Sequence, residues 1–328
     1  MKRQSSKHIN NLAAKIILTV VCLCVCACAK TKVEPPSISS STFSIEWPTG
    51  KADPAQGKTG SIYLYPATGG VPIILTGVSN KSASIELSAG DYNVIVYNEN
   101  ISRIKLRNSD SYNDFEAYLP PIAPKSAKGP AFIDQADYLY LLTGNTRQIK
   151  VIGGEVHNYA LRPQAATQTI RFSVRISTTI AFSDIKATLS GVSSHLNLRS
   201  AKAVPVDISF IAVPFTLNTY TKGGLNAVGQ IETFGVNPEG LPEKQNILTL
   251  DLTPLTPSST IVTHYEEDLS AKLNEFSNVN LNVDVEIIDP VNPESKELVI
   301  SITVKEWEQE DGGNIEINPA NTQKQSTN

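Results

Sequence analysis

Catalysis and metal binding need His, Cys, carboxylate or activated hydroxyl groups at workable spacing. Past residue 28 this chain offers only three histidines, His157, His195 and His264. A zinc centre draws its ligands from closely spaced positions, whereas these three lie far apart and in no paired motif. A serine nucleophile wants a strained Gly-x-Ser-x-Gly elbow with a base in reach. The nearest stretch, Ser190 to Ser194, lacks that form and reads as a strand entering a polar turn. The Gly-Gly pairs at 69–70, 153–154, 223–224 and 312–313 lack the Lys and the strand-to-helix setting of a phosphate loop. They read instead as hairpin glycines, used where φ must be positive. Carboxylates are plentiful, but position along a chain cannot place two of them at the separation that glycoside hydrolysis uses. The expectation is a chain that is not an enzyme and carries neither metal nor cofactor.

Aromatic rings on one strand face allow another chemistry, stacking against the apolar face of a sugar. Tyr63 and Tyr65 alternate onto one face, as do Tyr138 and Tyr140, and these four are the candidate glycan-stacking residues. Trp47 and Tyr97 are further rings of the same kind. The competing reading, core and cross-strand packing, is the favoured one in a chain of 7% aromatics.

Cysteine is confined to positions 22, 24, 26 and 28. Lys2, Arg3, Lys7 and Lys15, with no acidic residue among them, precede the apolar run Ile16 to Ala27. That is the pattern of a secretion leader, and the run falls short of the roughly 20 apolar residues of a spanning helix. Val25-Cys26-Ala27-Cys28 resembles a bacterial lipobox, with an aliphatic residue three places before the cysteine and a small one just before it. Cys28 is therefore the expected lipidation site. Cys26 fits worse, because Val25 would fill the small-residue position. Each buried methylene contributes about 0.8 kcal/mol, so two or more acyl chains anchor stably where one does not. The expected location is the outer membrane, lipid-anchored through those N-terminal acyl chains, on the cell surface rather than the periplasmic face. Cleavage before Cys28 leaves a body without disulfides, held by core burial alone in a compartment that would permit them.

Once the leader is removed, the remaining chain suffices for two domains of ordinary size. Its apolar content agrees, with 41% hydrophobic against 18% charged residues. There are 28 basic and 32 acidic residues, and four of the basic ones sit in the leader. So acidic a body argues against nucleic acid as a partner, which demands concentrated Lys and Arg.

These observations divide the chain into a leader (1–27), a flexible tether (28–42) carrying Pro35, Pro36 and a Ser-rich run, two β-rich domains (43–162 and 167–317) and a polar tail (318–328). Short period-two runs such as 43–47, 61–65, 84–87 and 92–97 predict antiparallel strands. A second series follows from Ile170 to Val304. The proline-rich stretch 120–130 reads as a surface loop. One helix is expected over 266–276, with Leu269, Leu273 and Phe276 on one face and acidic residues in the first turn. The fold class is all-β: two tandem β-sandwiches with at most one or two short helices.

Several local patterns carry a family resemblance. They are Tyr65 to Pro72 (Tyr-Pro-Ala-Thr-Gly-Gly-Val-Pro), Leu87 to Asn98 with its Gly-x-Tyr and Tyr-Asn ends, Ala187 to Val192, Thr233 to Gly235, and the closing run Ile300 to Trp307. Their order after a lipobox resembles the fimbrillin-like lipoproteins of Bacteroidota, the group containing minor and anchoring fimbrial subunits. The resemblance implies transthyretin-like, Greek-key sandwiches, a role in cell adhesion, fimbrial subunits as partners, and assembly by donation of a β-strand to a neighbour's open groove. A permanently lipidated subunit suits an anchoring or accessory position better than a repeating shaft. No Arg-centred processing site precedes the first expected strand. The alternatives are a glycan-binding outer-membrane lipoprotein of a polysaccharide-uptake system and, third, a secreted hydrolase.

Overall fold

A computed structural model of the chain describes residues 37–48, 59–79, 81–122, 131–142, 147–204, 209–219, 224–236, 246–256, 263–275, 280–292, 295 and 297–306. The leader, Cys28 and the polar tail lie outside the described residues.

In chain order the first half runs β1 (Ile38–Ile45), β2 (Gly60–Pro66), β3 (Ile73–Val78), β4 (Ala83–Ser88), β5 (Gly90–Asn98), β6 (Lys105–Arg107), β7 (Glu116–Tyr118), β8 (Pro121–Ile122), β9 (Ala131–Ile133), β10 (Tyr140–Leu142), β11 (Gln148–Val151), β12 (Val156–Leu161) and β13 (Pro163–Ala165). The second runs β14 (Gln168–Ser177), β15 (Phe182–Val192), β16 (His195–Asn197), β17 (Lys202–Ala203), β18 (Ser209–Val213), β19 (Phe215–Thr219), β20 (Leu225–Thr233), β21 (Ile247–Pro254), β22 (His264–Asp268), helix α1 (Ser270–Asn274), β23 (Leu281–Ile288) and β24 (Val299–Glu306). The architecture is all-β, with packed sheets and one short helix among the described residues.

A first sandwich packs the sheet β12-β1-β4 on the sheet β13-β10-β5-β2-β3, with β11 also paired to β5. Phe43, Ile45, Ile62, Leu64, Val94 and Val96 fill the space between them. The second sandwich packs β19-β20-β14-β23-β24 on β22-β21-β15-β18-β9-β8. Its strands alternate cleanly: on β14 the buried Ile170, Phe172, Val174 and Ile176 alternate with Arg171, Ser173, Arg175 and Ser177, of which the last three are exposed. Core burial of this kind holds a body without cysteines.

The sheets do not follow chain order throughout. Strands β6 and β7 join β16 and β17 in a four-stranded sheet, while β9 pairs in parallel with β18. Through β7 and β9 the first half thus pairs with strands of the second. The stretch 105–119 covers the back of the β5-β2 sheet, which is therefore buried on both faces. Val94 and Val96 face the first core, and Ile95 and Tyr97 face a second core shared with Phe115, Ala117, Leu119 and Phe172.

Three expectations need correction. The first strand begins at Ile38, inside the expected tether, because Ser40 to Ile45 pair with Val156 to Leu161 and the buried Ser39 hydroxyl donates to the Ile152 carbonyl at 2.5 Å. In the expected loop at 120–130, Pro121 and Ile122 form β8 against β9, and residues 123–130 lie outside the described ones. The expected helix is cut to five residues. His264 to Asp268 pair antiparallel with Ile247 to Asp251, so the acidic residues meant for a first helical turn belong to a strand. Leu269 and Leu273 are buried as their spacing required, while Phe276 lies outside the described residues.

Candidate functional site

The four candidate tyrosines do not form exposed platforms. Tyr63 and Tyr65 do share a face, with ring centroids 6.2 Å apart and planes 21° from parallel. That face is the one covered by the crossing stretch. Tyr63 packs 5.0 Å from Phe115 and 5.9 Å from Tyr97, while Tyr65 lies 5.5 Å from Tyr112 and donates its hydroxyl to the Ser109 carbonyl at 2.7 Å. Burial, with nearby Tyr63, raises the Tyr65 hydroxyl well above its ordinary pKa. Tyr140 is buried at the start of β10, edge-on to Trp47. Tyr138 precedes that strand and is half-buried in a different setting.

That setting is a polar cleft of about 320 Å³ between the two halves, lined by Asn100, Ser102, Arg103, Gln135, Asp137 and Tyr138 from one and Gln230 and Glu232 from the other. Asp137 organises its rim by accepting the backbone N–H groups of Ser102 and Arg103, each at 2.6 Å. Behind it Glu232 on β20 is only 4% exposed. Its Oε1 accepts the Thr169 hydroxyl at 2.5 Å and Gln230 Nε2 at 3.3 Å, and its Oε2 has no hydrogen-bond partner among the described residues. Burial pushes this carboxyl up to about 7, with the Thr169 hydrogen bond the first of the contacts holding it down. The Tyr138 hydroxyl, which accepts Gln230 Nε2 at 3.1 Å, is pushed up to about 12 by burial and by Glu232. Sequence reasoning missed Glu232. It falls on the same alternation as Asn226 and Gln230, and the distant segment 134–138, with Thr169 beside it, helps to cover it.

The polar turn at 190–194 is structural. Ser190 is buried and its hydroxyl accepts the Ile247 N–H at 2.9 Å. Ser194 Oγ does lie 2.8 Å from His195 Nδ1. However, Ser194 is only 5% exposed and the His195 ring stacks on Tyr118, which Arg107 covers on its own account. Burial, followed by that nearby Arg107 charge, lowers the His195 pKa. His157 bonds its ring to the Ile152 backbone, far from either. Among the described residues no three His, Cys, Asp or Glu side chains gather as a metal site. No described helix is long and apolar enough to cross a membrane.

The arrangement best suited to recognition is at one side of the second sandwich. Strands β22 and β24 end their respective sheets there, and among the described residues β22 pairs only with β21 and β24 only with β23. A groove of about 300 Å³ opens between them. Its floor is Leu248, Leu250, Leu298, Ile300 and Ile302, and its lip carries His264, Glu266, Glu267 and Glu297. Tyr265 spans the gap, its hydroxyl accepting the Leu298 N–H at 3.3 Å. Lys272 of α1 closes one end by donating to the Ile302 carbonyl at 3.2 Å while pairing with Glu267 at 3.4 Å. His264 is held between Asp251 at 2.7 Å and Glu266 at 3.6 Å, and the hydrogen bond to Asp251 raises its pKa. Chemically this is an apolar slot bordered by two strands that each pair on one side only among the described residues, and such edges are where another strand can add.

Solved structures of this shape come from the Bacteroidales. A candidate adhesin of Bacteroides ovatus aligns over 82% of this chain and 96% of its own with a TM-score of 0.55 at 16% identity. The fimbrial anchor protein Mfa2 of Porphyromonas gingivalis covers 82% and 98% at TM-score 0.53 and 10% identity. A candidate polysaccharide-binding protein of Bacteroides thetaiotaomicron covers 83% and 99% at 0.54 and 12%. At such identities the likeness is one of fold, and at that level the fimbrillin-like resemblance holds. No curated protein sequence matches the chain. A family model does match, over residues 34–211, from just before β1 through most of β18, and by that match the chain belongs to the family described as a domain of unknown function, DUF5119.

Proposed function

We propose that this chain is a lipid-anchored surface subunit of a fimbria or related adhesive structure, occupying an anchoring or accessory position and accepting a β-strand from a neighbouring subunit. The observation that carries the reading is the groove between β22 and β24, where an apolar floor lies beside two sheet edges. An added strand would gain main-chain hydrogen bonds from an edge and bury alternate side chains on that floor. Relatives of the same fold include a protein named as a fimbrial anchor and candidate adhesins, which supports the adhesive role and offers no enzyme as a model. The lipobox-like Val25 to Cys28 supports the anchor, and with it a location at the outer membrane with the cell surface as the expected side.

The glycan-binding alternative drew on Tyr63, Tyr65, Tyr138 and Tyr140, and three of these rings are engaged in protein packing. The test is pull-down of the lipidated chain from native envelopes. Fimbrial subunits should be recovered with it, and recovery of polysaccharide-uptake proteins alone would refute the reading. A Cys28→Ala chain should move from the membrane to the soluble fraction, and unchanged membrane retention would refute the anchor. Protease shaving of intact cells should degrade the body.

A further inference from the structure

We infer that the groove between β22 and β24 selects a strand that carries Lys or Arg at its outward positions, between apolar residues that fill the floor. The inference rests on the strand-acceptor reading above and goes beyond it by assigning the chemistry of the donor.

Two patterns on β22 and β24 set that chemistry. On β24, Ile300, Ile302 and Val304 turn toward the core while Ser301, Thr303 and Lys305 are exposed. Any strand laid in the slot must therefore present apolar side chains inward at every second position. On β22, His264, Glu266 and Asp268 alternate outward and are exposed, and Glu297 stands across the opening. Side chains of an adjacent strand come within about 5 Å of these positions, where opposite charges stabilise and like charges destabilise. Among the described residues the cations beside the groove are already engaged: Lys272 with Glu267, Lys305 with Asp284 at 2.6 Å, and His264 with Asp251. The described residues of the lip thus remain net negative toward an incoming chain.

The same charge argument disfavours the nearest alternative occupant. Residues 307–328 follow directly on β24, and they contain Glu308, Glu310, Asp311 and Glu316 against a single Lys324. Such a segment would bring like charge to the lip. The occupant we commit to is an extended segment of another protein with an apolar and cationic alternation.

The inference is tested on the full mature chain in detergent with three labelled ten-residue peptides. Each alternates Val and Leu with Lys, Gln or Glu, and binding is read by fluorescence anisotropy. The Lys peptide should bind about tenfold more tightly than the Gln peptide at low salt, as two or three exposed ion pairs allow. The Glu peptide should bind most weakly, and the order should flatten near 1 M salt. A Glu266→Lys, Glu297→Lys double variant, altered only at exposed positions, should reverse the preference. Equal binding of the Lys and Gln peptides would overturn the charge selection and leave strand acceptance standing. Failure of every peptide to bind would overturn strand acceptance itself. Binding that emerges only after deletion of residues 307–328 would make the chain's own tail the occupant and overturn the assignment.

Discussion

Replacing Glu232 by Gln removes a buried charge while keeping the size of the side chain. The carboxyl rises from 4.5 to about 7 in the folded chain, with burial the leading cause. Between those values the folded state keeps its proton and the unfolded state has released it. Stability is therefore fully present below pH 4.5, falls as pH rises, and has lost its whole increment above pH 7. The difference corresponds to about 3 kcal/mol, and most of it falls between pH 5 and 8. At 4% exposure the group has little solvent screening to reduce that figure. Gln at this position can still accept the Thr169 hydroxyl, and its other end carries an amide where Glu232 has an oxygen without a partner. The assay is urea and thermal unfolding of both proteins at pH 5 and pH 8. The advantage of Gln over Glu should grow by about 2–3 kcal/mol, or about 5 °C in Tm for a body of this size. Every other titrating group cancels in the comparison. A stability difference that is the same at both pH values would refute the claim that this carboxyl is buried with a raised pKa.

Phe115 is fully buried against Tyr63 and Tyr97, so Phe115→Ala should cost about 3–5 kcal/mol of unfolding free energy and be seen as a lower urea midpoint. Asp137→Ala removes the acceptor of two backbone N–H groups at the rim of the polar cleft, which water can partly replace because these contacts are exposed. A loss of about 2 kcal/mol is expected, with faster amide exchange at Ser102 and Arg103 as its local signature.

Much of the fold was legible because alternation is a local property. Runs such as Ile170 to Ile176 and Leu281 to Ile287 announce one buried face and one solvated face without reference to anything distant. The helix over 266–276 failed for a related reason. Leu269 and Leu273 satisfy a helical spacing, but Tyr265 and Glu267 satisfy a strand spacing equally, and pairing with Ile247 to Asp251 decided the contest. Ser37 to Thr42 look like tether by composition, yet parallel pairing with a segment more than a hundred residues away makes most of them a strand. Composition cannot register a partner at that distance.

The candidate sites follow the same division. That Tyr63 and Tyr65 share a face was legible, and their use was not, because what covers them is the stretch 105–119 on its way to pair with β16. The same crossing carries the chain onward to β9 and then to Ala136, whose N–H donates to the Glu232 carbonyl at 2.8 Å, and so places the segment that buries the Glu232 side chain. One non-local path thus turns an apparent sugar platform into core and an apparent surface carboxylate into a buried one. The β22/β24 groove escapes this fate because it lies on the far edge of the second sandwich, away from the crossing. Two sheets end there together, their outermost described strands pair on one side only, and a short helix closes just one end of the opening. The second sandwich recruits β8 and β9 from the first half to extend one sheet on the opposite side, while its β22 and β24 side keeps an apolar floor and an acidic lip. What sets the β22 and β24 side apart is the pairing of two strand edges with an apolar floor, the two things that an added strand would use.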